Sequence, residues 1–204
     1  MKFQVSAKDK KTLCKQAPEF REVVRRIELD GFECNGDLFH ALVQSIISQQ
    51  LSIKVADTIY NRVEQLLGRI TAENLKSAAV EDLRACGLSA RKIEYLRGIA
   101  DAVLSGRIDF AALARLPDEE IMKELVKLKG VGEWTAEMLL IFALGRPDVL
   151  SFKDLGIRRG IMLLNKLEEL TEEDFEVYRK RYSPYGTLAS LYLWRIKDGG
   201  LSVK

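Results

Sequence analysis

Between Leu128 and Leu140 the chain reads LKGVGEWTAEMLL, and this segment most narrows what it can fold into. Gly130 and Gly132 bracket Val131, so the backbone can turn tightly and lie close to another surface where a Cβ would collide. Pro117 sits where the first turn of a preceding helix would start, and Ile121, Leu125 and Leu128 carry that helix into the turn. A second helix is predicted from about Glu133. Its first backbone N–H groups have no intrahelical partners and carry the positive end of the macrodipole, which makes the turn an anion site suited to a phosphate. Gly130, Val131, Gly132, Trp134 and Thr135 are the candidate phosphate-gripping residues. Purely structural joints between helices also use glycines, so the turn alone leaves both readings open.

The rest of the chain is helical in its periodicity, with no convincing strand alternation. Asp37 can cap a helix whose apolar face is Leu38, Leu42 and Ile46. Gln49-Gln50-Leu51 breaks it, and Ser52 can cap the next, which carries Val55, Ile59 and Val63 and ends at Gly68. Thr71 and Ser89 look like further caps, Gly87 and Gly106 like helix ends. Gly145 and Pro147 stop the helix that follows the glycine turn. Thr171 to Asp174 resembles a capping box, and Pro184 precedes a last helix through Leu188, Leu191 and Trp194. About ten helices with short links predict an all-α protein without repeats or low-complexity segments.

Asp154, at the end of GRPDVLSFKD, precedes Leu155-Gly156-Ile157-Arg158, which reads as the first turn of a helix. An aspartate there commonly serves as N-cap, and that role can coexist with another. Asp148 is the rival carboxylate and reads better as a turn residue. The glycine turn, Asp154, the SIISQQLS segment from Ser45 to Ser52 and Trp194 together resemble the helix-hairpin-helix Gly/Pro-Asp (HhH-GPD) superfamily of base-excision DNA glycosylases. The nearer resemblance is to its 3-methyladenine DNA glycosylase II (AlkA-type) branch, and it runs from about Leu38 to Trp194. Lyase-type members carry a Schiff-base lysine two places after the second glycine. Trp134 stands there in this chain, which implies a monofunctional enzyme that uses water. The AlkA-type enzyme best known from bacteria has an additional N-terminal α/β domain, for which there is no room before Asp37, so the compact form is expected.

By that resemblance, residues 38–150 form one helical lobe, with the helix-hairpin-helix at about 117–145. Residues 1–37 and 151–204 form a second lobe, with a cleft between the two. The implied activity is hydrolysis of the N-glycosidic bond of flipped-out alkylated purines of the 3-methyladenine and 7-methylguanine type, leaving an abasic site. A purine alkylated at N3 or N7 is cationic and a good leaving group, so the enzyme must stabilise an oxocarbenium-like sugar and bring up water. Asp154 is the candidate carboxylate for both tasks. Flipping the nucleotide exposes the base to a pocket, and a cationic purine favours an electron-rich aromatic face. Trp134, Trp194, Met138 and Gln49 are assigned to that pocket. Met138 replaces an aromatic residue of the best-known bacterial enzyme. Gln50 falls at the wedge position, where that enzyme has leucine, and can hydrogen-bond the widowed base. Both tryptophans also suit core packing, and Gln49-Gln50 an ordinary capping loop. The carbonyls of Val126, Leu128 and Val131 match those that hold a monovalent cation in such hairpins, so a Na⁺ or K⁺ site is expected.

Composition agrees with this reading without producing it. The 204 residues include 47% hydrophobic residues, ample for a core. Net charge is only +2, from 32 basic and 30 acidic residues, so attraction to DNA must come from a local patch. Lys127, Lys129, Arg158 and Arg159 are its candidates. Cys14, Cys34 and Cys86 suit a reducing compartment and are too few for the four-cysteine iron–sulfur loop of another branch. His40 is the only histidine and makes no metal site with scattered cysteines. No signal peptide or membrane-length apolar run is evident, so an intracellular monomer is expected, cytoplasmic or nucleoid-associated if bacterial, with alkylated duplex DNA as partner. Two alternatives remain: a same-fold glycosylase for oxidised or deaminated bases, and a non-catalytic helix-hairpin-helix DNA-binding module.

Overall fold

The computed structural model describes residues 2–200. In chain order the elements are β1 (Lys2–Phe3), α1 (Ala7–Gln16), α2 (Phe20–Arg26), β2 (Phe32–Glu33), α3 (Leu38–Ser48), α4 (Ile53–Leu67), α5 (Ala72–Ser77), α6 (Val80–Ala85) and α7 (Ala90–Leu104). They continue as α8 (Phe110–Leu113), α9 (Asp118–Leu125), α10 (Glu133–Phe142), α11 (Leu155–Asn165), α12 (Glu172–Tyr182) and α13 (Gly186–Arg195), followed by a wide helical turn over Ile196–Gly200. The protein is all-α, with more helices than periodicity suggests. The additional ones are α1, which buries only Leu13, α2, which buries Phe20 and Val23, and the four-residue α8. One or two apolar anchors do not make a period. The β1–β2 pair, antiparallel with Phe3 opposite Phe32, is likewise too short to alternate. Among the described residues no helix is long and apolar enough to cross a membrane.

Helix boundaries follow the caps. Asp37 accepts the His40 N–H, Thr71 the Asn74 N–H and Ser89 the Lys92 N–H. Thr171 and Asp174 form a complete capping box. Ser52 occupies the N-cap position of α4 but makes no side-chain bond to it. His40 is structural: its Nε2 pairs with the Tyr60 hydroxyl from α4, ring edge to ring face.

The chain divides into two compact units. One comprises Asn35–Leu139, and the other the residues up to Cys34 with those from Leu140 onward, so the boundary falls within α10. In the Asn35–Leu139 unit, α7 packs against α3, α5 and α6, and α3 against α4. Leu42, Val43, Ile46, Ile47, Val63, Leu75, Leu96 and Leu125 are buried there. The other unit is built on Leu13, Phe20, Ile157, Ile161, Phe175, Tyr182, Tyr192 and Leu193. In it α11 and α13 approach backbone to backbone at Gly160, where a Cβ would lie 2.5 Å from the Leu193 carbonyl oxygen.

Candidate functional site

In the unit that begins again at Leu140, the sequence places Asp154 at the start of α11 and Trp194 near the end of α13. The structure brings the two together. Asp154 is the N-cap of α11, and its Oδ1 accepts the Ile157 N–H at 2.8 Å and the Trp194 indole N–H at 3.0 Å. Asp154 as a whole is only 9% exposed. The cap and the indole bond thus share one carboxylate oxygen. The same bond that starts the helix fixes the aspartate, and the indole fixes it from a second direction. Asp148 is otherwise engaged, accepting the Ser183 hydroxyl at 2.6 Å and the Gly186 N–H at 3.0 Å, as its turn position suggests.

Sequence reasoning missed two parts of this arrangement. Gly156 is the first: a Cβ there would stand 2.9 Å from Trp194 Cδ1 and 3.1 Å from Asp154 Oδ1, so only glycine lets the indole lie against the first turn of α11. The Gly156/Gly160 spacing of four on one helix was the available signal. The second is the aromatic run that supports Trp194. Its indole stacks on Phe142, with centroids 5.8 Å apart, and Phe142 meets Phe32, which stacks on Phe3 across the β1–β2 pair. Nothing in local sequence joins Phe3, Phe32 and Phe142.

In the Asn35–Leu139 unit, α9 ends at Leu125, the Val131 N–H closes the turn onto the Leu128 carbonyl at 3.1 Å, and α10 begins at Glu133. Gly130 has a φ of +89°, and a Cβ on it would lie 2.2 Å from the Tyr95 ring. The surface that requires this glycine is thus the chain's own tyrosine. Around Gly132, by contrast, a Cβ would meet only open space, which leaves the backbone there accessible. Val131 and Thr135 are buried, Met138 is half-buried, and Val126 is 40% exposed.

The loop between α3 and α4 comes to the same place. Gln49 Nε2 donates to the Gly130 carbonyl at 3.0 Å, and Gln50 is exposed with a φ of +60°, a conformation rare for a residue with a Cβ. Ser45, Ser48, Gln49, Gln50, Leu51, Trp134 and Thr135 line one open cavity of about 500 Å³. Trp134 is 44% exposed in it and is not a core residue. Three of the four basic candidates are committed within the protein. Lys127 pairs with Glu124, Lys129 pairs with Glu94, and the Arg158 guanidinium lies 5.0 Å from the Phe152 ring centroid. Both lysine pairs lie on the exposed surface, where such pairing is weak. Arg159 is exposed.

Residues 43–184 match the HhH-GPD superfamily of base excision DNA repair proteins, and the chain belongs to that superfamily. DNA-3-methyladenine glycosylase 1 of Schizosaccharomyces pombe is 39% identical over 162 residues, which are 77% of this chain and 71% of that protein. The crystal structure of a DNA-3-methyladenine glycosidase from Bacillus halodurans superposes with a TM-score of 0.83 at 38% identity, covering 97% of this chain and 92% of the other. A Schizosaccharomyces pombe 3-methyladenine DNA glycosylase in complex with abasic DNA superposes at 0.78 with 33% identity, over 94% and 97% of the two chains.

Proposed function

We propose that this chain is a monofunctional DNA glycosylase of base excision repair that hydrolyses the N-glycosidic bond of alkylated purines in duplex DNA. The observation that carries the reading is the Asp154–Trp194 pair: a carboxylate fixed by two N–H donors beside an aromatic stack. Departure of a cationic purine builds positive charge at the sugar. A carboxylate held before the reaction stabilises that charge without reorganising, and it orients or deprotonates the attacking water. Trp194 offers the flipped base an electron-rich face. Water is the nucleophile in this scheme, since Trp134 stands where a lyase would need an amine.

Gln50 enters the space that the flipped nucleotide leaves, and the turn at Gly132 takes a phosphate on the exposed N–H groups that open α10. A Na⁺ or K⁺ ion held by the carbonyls of Val126, Leu128 and Val131 would add a positive charge facing that phosphate. The Leu128 carbonyl has a second lone pair beyond the one used by Val131, which leaves it able to accept a cation. The protein acts as a monomer on alkylated DNA inside the cell.

Base release from duplexes carrying methylated, oxidised or deaminated bases tests the reading. Release of methylated purines, with strand cleavage only after alkali, is expected. Release of oxidised bases alone would transfer the chain to another substrate class, and binding to abasic DNA without release of any base would make it a binding module.

A further inference from the structure

Helix α7 touches both the Gln49–Gln50 loop and the Gly130 turn, through residues of its first two turns. Lys92 Nζ donates to the carbonyls of Ile47 and Gln49, both at 2.7 Å. These lie at the C-terminal end of α3, where carbonyls lack intrahelical partners. The neighbouring Ser45 and Ser48 carbonyls accept the Gln49 and Leu51 N–H groups, so Lys92 serves two that the backbone does not. One turn along α7, the Tyr95 ring packs on Gly130, and between them Glu94 pairs with Lys129. The Gln49 amide closes the circle by bonding the Gly130 carbonyl.

Gln50 follows directly on the residue so held, in a left-handed conformation that persists only where the flanking chain is fixed. Lys92 is half-buried, and that burial lowers its pKa below the ordinary lysine value. Withdrawing an ammonium from water is unfavourable unless its donors are used, and here two carbonyls use them. A lysine with only a solubilising role needs no such placement.

We propose that Lys92 is a positioning residue for base flipping, which presents Gln50 to the duplex and, with Tyr95, ties the base-displacing loop to the phosphate-gripping turn as one rigid element. The inference takes the loop's role from the glycosylase reading, but its test does not require chemistry. A duplex with 2-aminopurine opposite a tetrahydrofuran abasic analogue reports insertion of the loop as a rise in fluorescence. At saturating protein, wild type and Lys92→Arg should raise the signal several-fold, whereas Lys92→Met should lose more than half of the rise. In parallel, base release by Lys92→Met should fall about tenfold for a lesion in a stable pair, the loss expected for bonds to a charged donor, and only about twofold for a lesion in a single-nucleotide bulge. Lys92→Gln, which keeps one donor group, replaces Lys92→Met if the latter fails to fold and should give intermediate losses. Equal fluorescence rises in wild type and variants, no rise in wild type, or equal losses of release on paired and bulged lesions would overturn the proposal. A wild-type protein that raises the fluorescence yet releases no base would instead overturn the glycosylase reading and leave the role of Lys92 decided by the fluorescence alone.

Discussion

Trp194 donates its indole N–H to the same oxygen of Asp154 that caps α11. One atom thus joins the end of α13, the first turn of α11 and the aromatic run behind the indole. In the proposed reaction, holding the carboxylate in this way removes freedom that would otherwise have to be lost at the transition state. The cap and the charge proposed for catalysis can therefore be separated by substitution.

Asp154→Asn separates them. Asparagine caps nearly as well as aspartate and keeps an oxygen for the Ile157 and Trp194 N–H groups, so the melting temperature and affinity for abasic-site DNA should change little. Excision should fall by roughly a hundredfold or more, on the order of 3 kcal/mol, because the lost interaction is made mainly in the transition state. Labile 7-methylguanine should suffer less than stable hypoxanthine, since its leaving group needs less help. Single-turnover rates on both duplexes check this, and near-wild-type rates would reduce Asp154 to a cap.

Gly156→Ala tests the fit between α11 and the indole. In an open helix this change stabilises by about 0.8–1 kcal/mol. Here the new methyl would stand 2.9 Å from Trp194 Cδ1, so the indole must move away from Asp154. The melting temperature should therefore not rise, and excision should fall by about ten- to a hundredfold, as expected for a displacement near 1 Å beside the reacting atoms. A stabilised and fully active variant would show that the contact is not needed.

How far the sequence carries depends on whether a feature is local. Asp37, Thr71, Ser89, Thr171 and Asp154 cap the helices expected of them, because capping is settled within four residues. Gly130 is a half-success: the tight turn is legible, but the need for glycine comes from Tyr95, thirty-five positions earlier and on another helix. Lys92 and Phe142 carry no local mark at all. A lysine one turn into a helix usually faces water, and only tertiary packing turns this one toward the carbonyls of α3. Lys129 likewise pairs with Glu94 on α7, whereas the Lys127–Glu124 pair spans three residues and is local.

Gln50 allows stability and activity to move in opposite directions. Its left-handed backbone costs an L-residue roughly 1–2 kcal/mol, a strain that glycine lacks. Gln50→Ala and Gln50→Gly both remove the side chain, so both should lower excision of well-paired lesions, with smaller losses opposite mismatches, where extrusion is easier. Gln50→Gly should nevertheless melt no lower than Gln50→Ala, because relief of strain offsets the added freedom of the unfolded chain. Thermal melts alongside rates on paired and mismatched duplexes would show it. Wild-type rates on well-paired lesions would make Gln50 a bystander.

The two glycines of the turn should fail in different ways. Gly130→Ala forces a Cβ to 2.2 Å from the Tyr95 ring at a φ of +89°, and should destabilise by roughly 1–3 kcal/mol, a drop of several degrees in melting temperature. Gly132→Val meets open space, so its melting temperature should stay close to wild type. Its side chain would nonetheless stand where a phosphate must approach the N–H groups of α10, and affinity should weaken alike for abasic and undamaged duplexes, since this contact does not read sequence. Replacing K⁺ and Na⁺ with tetramethylammonium at constant ionic strength should weaken wild-type binding and add little to the loss in Gly132→Val, because both changes act on one phosphate contact. Fluorescence anisotropy on the two duplexes in both salts makes the comparison. Unchanged affinity in a well-folded Gly132→Val protein would remove the turn from the DNA interface, and the anion site would then have to be sought at another helix start.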